Sequence, residues 1–173
     1  MVDPGWALCV LHIEDEAKLQ AAYRQIYMDE YVRAEVRDWA GRRIRFHAPS
    51  FSHAFSEASN YRLSAGVHDE PLSLARLQRI HWIKLALTGE GVRIDVLAQT
   101  RQDSRGRMKR RRSLIVLDNR YVVVLEPSED AGFDFVFITA FPADHSYLDR
   151  IRRGANVVER REPGIKMPQS YGD

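Results

Sequence analysis

The sequence predicts an α+β fold in which N-terminal helices precede a four-stranded antiparallel β-sheet meander. Three observations predict it. Before residue 88 apolar residues recur mostly at three- and four-residue intervals, the helical period. After residue 92 they come in short alternating or continuous runs, the mark of strands. The links between those runs are short, which favours hairpins over βαβ crossovers. At 173 residues the chain suits one domain with a real core. It divides into an N-terminal helix and hairpin start over 1–41, the main α+β domain over 42–158, and a polar, flexible C-terminal tail over 159–173.

Asp15 is a ready N-cap for a helix reaching about Tyr31, with Leu19, Ala22, Tyr23, Ile26 and Tyr27 on one face. Residues 34–46 alternate around Ala40-Gly41 and read as a β-hairpin. Next comes Phe46–Phe55, FHAPSFSHAF, with His47 and His53 six residues apart. Pro49 interrupts regular structure, and Ser50 or Ser52 then caps a short helix. Residues 59–71 have loop composition, either a lid or a plain connection. Ser73 caps a second helix over 73–87, SLARLQRIHWIKLAL, closed by Thr88-Gly89. Four strands are expected at Val92–Gln99, Arg112–Asp118, Tyr121–Glu126 and Phe133–Phe141. A last short helix is expected from Tyr147 to about Ala155.

Net charge is only +2, yet RQDSRGRMKRRR at 101–112 holds seven Lys or Arg and a single Asp. Such a block repels itself, so a mobile cationic loop is expected between the first two strands. It is either a solubilising loop or a phosphate-binding arm built from Arg101, Arg105, Arg107, Lys109, Arg110, Arg111 and Arg112. Tyr61, Trp82 and Phe141 are aromatic residues available to stack on bases. One cysteine, Cys9, excludes an internal disulfide and a cysteine-based zinc cluster. No apolar run approaches the ~20 residues of a membrane span, and no signal peptide is apparent, so a cytoplasmic protein without membrane contact is expected.

Phosphate loops, nucleophile elbows and His-Glu-x-x-His helices are missing from the sequence. His47 and His53 have no carboxylate partner nearby in sequence, so neither a metal nor a cofactor is expected. Histidine near aromatics is either a structural residue or an acid or base working near neutral pH. The remaining inventory of His, Arg, Lys, Ser, Thr and Tyr suits phosphodiester cleavage in which the ribose 2′-OH attacks its own phosphate.

FSHAF at 51–55, ARLQRIHWIKLAL at 75–87, and the strands VRIDVL, SLIVL, YVVVLE and FVFITAF together resemble the phage-type branch of the barnase–EndoU–colicin–RelE-like nuclease fold. The likeness spans roughly residues 42–155. It implies a metal-independent ribonuclease, because many members of that fold are toxins or phage-encoded effectors of this kind. RNA is the implied substrate, and an inhibitor or antitoxin protein a possible partner. By the same resemblance His53 is the first choice for acid or base, with His47 as its second or its support. Arg79 would stabilise phosphate, with Arg76 as substitute, and Thr139 would hold a phosphate oxygen or orient the histidine. Two other readings stand beside cleavage: an inactive nucleic-acid-binding module, and a protein-interaction module whose basic arm meets an acidic partner.

Overall fold

A computed structural model describes residues 4–57 and 71–163. The loop expected over 59–71, Tyr61 included, therefore lies almost wholly outside the described residues, as does the chain from 164 onward.

Asp15 caps α1 (Glu16–Tyr27) by accepting from the Lys18 N–H at 2.9 Å, and a π-type turn (Met28–Val32) continues it. Tyr23, Tyr27 and Tyr31 stand four residues apart, so they form one stripe on one helix face. All three are fully buried. A buried hydroxyl without a partner costs about 1–3 kcal/mol, and each finds a carbonyl on a different segment. Tyr23 donates to Cys9 at 2.6 Å, Tyr27 to His47 at 2.8 Å and Tyr31 to Ile80 at 2.5 Å. Burial holds the Tyr27 and Tyr31 phenols above their ordinary pKa, so they remain donors. One helical stripe thus ties the N-terminal segment, the histidine stretch and the second helical region to a single core.

A short helix, α2 (Ser50–Ala54), follows Pro49, but the expected serine cap is corrected: Pro49 itself holds the N-cap position without a side-chain hydrogen bond, and Ser50 and Ser52 lie inside the helix. The helix expected over 73–87 is instead two, α3 (Leu74–Leu77) and α4 (Ile80–Thr88), broken at Gln78-Arg79. At the break the Cys9 N–H donates to the Gln78 carbonyl at 2.7 Å, while the Arg79 carbonyl accepts from the Trp82 N–H at 2.9 Å and from the Tyr121 hydroxyl at 3.4 Å. Gly89 ends α4 in the left-handed conformation, φ 63°.

The expected four-stranded meander is corrected to a seven-stranded mixed sheet in the order β1-β2-β6-β5-β4-β3-β7. The strands are β1 (Val36–Arg37), β2 (Arg43–Arg45), β3 (Ile94–Gln102), β4 (Met108–Val116), β5 (Tyr121–Pro127), β6 (Phe135–Pro142) and β7 (Asn156–Arg161). Strands β3 to β6 do form an antiparallel meander, which the short connections foretold. The hairpin β1–β2 joins it through a parallel pairing of β2 with β6, and β7 returns to pair with β3. Both additions come from non-local pairing, which local periodicity does not report. The boundary drawn at residue 158 falls inside β7.

α1, α3 and α4 share one large core with one sheet face, where Ile94, Val96, Leu114, Val123 and Phe137 lie. α5 (His145–Arg153), capped by Asp144, covers part of the other face through Leu148 and Ile151, against Leu97, Ile115, Val122 and Val124. Trp6, Tyr23 and Val36 belong to the large core, so residues 4–41 pack with the main body rather than beside it. The sheet curls until its ends meet. Glu159 on β7 accepts from the Trp39 indole at 2.7 Å and pairs with Arg42 at 3.3 Å, both from the turn after β1. Arg112 from β4 closes the group on the same carboxylate. Burial pushes Glu159 up, but the Trp39 N–H and the two guanidinium groups outweigh it and hold the carboxyl below its ordinary value.

Candidate functional site

An open groove of about 850 Å³ lies on the part of the sheet that α5 leaves uncovered. β6 supplies Val136 and Ile138 to its floor, β2 supplies Arg45, and the segment after β2 supplies His47, Ser50 and His53. β4 and the turn before it bring Arg107, Lys109 and Arg110 to the opposite rim. Both histidines are exposed. Local chemistry puts them there. The Tyr27 hydroxyl holds the His47 carbonyl, Pro49 turns the chain, and Phe51, Ala54 and Phe55 bury the inner side of α2. His53 is thereby left facing outward.

Behind α2 lies a polar knot that fixes its end. Arg76 donates to the Ala54 carbonyl at 3.1 Å and to the Thr139 hydroxyl at 3.3 Å. Thr139 donates to the same carbonyl at 3.1 Å and is 6% exposed. Thr139 therefore supports the residue after His53 and is not placed to grip a substrate phosphate. A bulge opposite Val124 and Leu125 lets Phe137 and Ala140, three apart, both reach the large core. That irregularity breaks the simple alternation that would put Thr139 in line with Phe133, Phe135 and Phe137.

Arg79 is the clear departure from expectation. Its guanidinium folds back onto α3, donating to the Ala75 carbonyl at 2.8 Å, and lies 5.0 Å from the Trp82 ring centroid. Arg76, the substitute, is the arginine in contact with Thr139. Trp82 is core, packed on Trp6 and Tyr121 and covered by Arg79, so it offers no face to a base.

The cationic arm is also corrected. It is not a mobile loop: β3 and β4 pair through it from Gln102↔Met108 to Ala98↔Arg112, and only residues 103–107 turn. Asp103 organises that turn by accepting from the Arg105 and Arg107 N–H groups at 2.9 Å and from the Arg107 side chain at 3.2 Å. Pairing divides the positive charges. Arg111 and Lys109 reach Glu126 at 2.9 and 3.5 Å, whereas Arg112, one residue on and on the other face, reaches Glu159. Arg105 is exposed on the turn, and the Arg101 side chain lies outside the described residues.

Sequence reasoning missed three carboxylates lining the groove: Glu129, Asp130, which pairs with Arg45 at 3.0 Å, and Glu126. Glu126 is buried, at 9% exposure, and held by two cations. A carboxylate at the end of the apolar run YVVVL was a visible signal, because such a residue facing the sheet interior requires a partner. Among the described residues no three His, Cys, Asp or Glu side chains come together as a metal site would require. No described helix is long and apolar enough to cross a membrane. No family model, curated protein or solved structure matches the chain.

Proposed function

We propose that the protein is an endoribonuclease acting in this groove by 2′-OH attack, without a metal. One observation carries the reading: His47 and His53, from one short segment, open on the same groove as Arg45, Arg107 and Lys109. In-line transesterification needs that set. A neutral imidazole takes the 2′-OH proton as its oxygen attacks phosphorus, and an imidazolium gives a proton to the departing 5′-oxygen. The products are a 2′,3′-cyclic phosphate and a 5′-hydroxyl. Cations at the rim offset the extra negative charge of the phosphorane. Arg76 and Thr139 act one step removed, by fixing the carbonyl beside His53. The sequence resemblance to barnase–EndoU–colicin–RelE-like nucleases supports the same reaction class.

The test is incubation of mixed RNA with the protein in EDTA. Cleavage should persist and leave cyclic phosphate ends. Strict dependence on a divalent ion, or 3′-hydroxyl products, would overturn the mechanism.

A further inference from the structure

Farther along β6 stands an arrangement that the proton transfers do not use. The Phe141 and Tyr147 rings meet edge to face, centroids 5.4 Å apart with planes at 83°. Arg76 lies 5.2 Å from the Phe141 centroid and Arg150 lies 5.3 Å from that of Tyr147. Phe141, Tyr147 and Arg76 are half-buried and Arg150 is exposed, so the four form a strip reaching the surface. Packing accounts for part of this, since both rings rest on the smaller apolar cluster. Apolar contact alone does not place a guanidinium over each ring. Arg76 belongs to both places: the same guanidinium holds the Ala54 carbonyl, next in chain to His53.

We propose that this strip seats an unpaired base of single-stranded RNA whose neighbouring phosphate lies in the groove. The inference rests on the ribonuclease reading and names its substrate class. Aromatic faces and guanidinium planes stack on any base, and interleaved cations pair with the flanking phosphates. Bases within a duplex are already stacked on each other, so only a single strand or loop can present one. From Val136 in the groove to Phe141 the paired strand advances four residues, Glu126 to Val122, or about 13 Å, a span that a short single strand bridges.

The experiment uses 2′-O-methyl oligoribonucleotides, whose blocked hydroxyl prevents cleavage, with affinity read by fluorescence anisotropy for single strands and for duplexes of equal length. The wild type should bind the single strand at least about tenfold more tightly, since it alone offers a free base. Phe141→Leu, which keeps apolar volume and removes the aromatic face, should weaken single-strand binding by roughly five- to a hundredfold and leave duplex binding unchanged. Arg150→Ser, at an exposed position, should shift it in the same direction and carries the test if the first variant does not fold. Folded variants with wild-type single-strand affinity, or a wild type indifferent to strandedness, would overturn this inference alone. Failure to bind any RNA would overturn the ribonuclease reading and this inference with it.

Discussion

Arg76 and Thr139, 63 positions apart in sequence, hydrogen-bond each other at 3.3 Å and both donate to the Ala54 carbonyl. That carbonyl belongs to the last residue of α2, directly after His53. The pair transmits the position of the sheet to the short helix that carries the imidazole.

Thr139→Val keeps the shape of the side chain and removes the hydroxyl. The Arg76 guanidinium and the Ala54 carbonyl each lose one partner in a half-buried place, which should lower stability by about 1–2 kcal/mol. If Thr139 positions His53, turnover should fall while KM stays within about twofold, because the groove's own contacts are intact. Urea unfolding and steady-state cleavage of one oligonucleotide check both halves. An equal fall in kcat and rise in KM would make Thr139 a general stability residue.

Arg79→Lys should leave RNA turnover within about twofold of wild type, because its guanidinium stacks on Trp82 and not in the groove. Loss of that stacking should lower stability by about 0.5–1 kcal/mol. A large drop in turnover with unchanged stability would return Arg79 to the site.

The rim charges should separate from the other charges of the arm by their salt dependence. Arg107 and Lys109, although paired with Asp103 and Glu126, line the groove with Arg110 and stay open to solvent, whereas Arg112 is largely withdrawn from solvent on Glu159. Replacing the first three by Ser should reduce the slope of log affinity against log salt by about two units for single-stranded RNA, at about 0.7 per phosphate. Arg112→Ser should leave that slope unchanged and lower the melting temperature. Binding of a non-cleavable RNA between low and moderate salt reads the difference.

Glu159 gives a pH dependence with a defined sign. Its folded pKa lies below its ordinary value of 4.5, so its contribution is present in full at neutral pH. As pH falls through that ordinary value the unfolded chain takes up a proton first. The contribution is lost as pH passes the lower folded value. Glu159→Gln should cost about 1–3 kcal/mol at pH 7 and flatten this part of the acid limb. Denaturant titrations at several pH values measure it; parallel acid limbs in the two proteins would show that the sheet ends are not held by this carboxylate.

Much of the fold was legible from local pattern, and what was not depends on distance. The Asp15, Ser73 and Gly89 boundaries announce themselves because caps are short-range chemistry. The meander from Ile94 to Pro142 follows from short connections. The pairing of Arg45 with Val136 and of Glu159 with Val96 joins segments remote in sequence. No periodicity reports such contacts. The break at Gln78-Arg79 was hidden because an unbroken apolar pattern runs through it. The partner that takes the Gln78 carbonyl there, the Cys9 N–H, is remote in sequence. In the arm, charge density suggested a loop, yet Arg111 and Arg112 alternate like any strand residues because Glu126 and Glu159 neutralise them on opposite faces.

The most direct measurement is the rate at which 2′,3′-cyclic phosphate appears on a single-stranded oligoribonucleotide in EDTA, at saturating RNA, for the wild type and for His53→Ala. His53 is exposed, so its removal leaves the core untouched, and a proton-transferring imidazole contributes about 10²–10⁴ in rate. The predicted result is a fall of that size with RNA affinity and melting temperature unchanged. An equal rate from folded His53→Ala, or no cyclic phosphate from the wild type, would contradict catalysis in this groove.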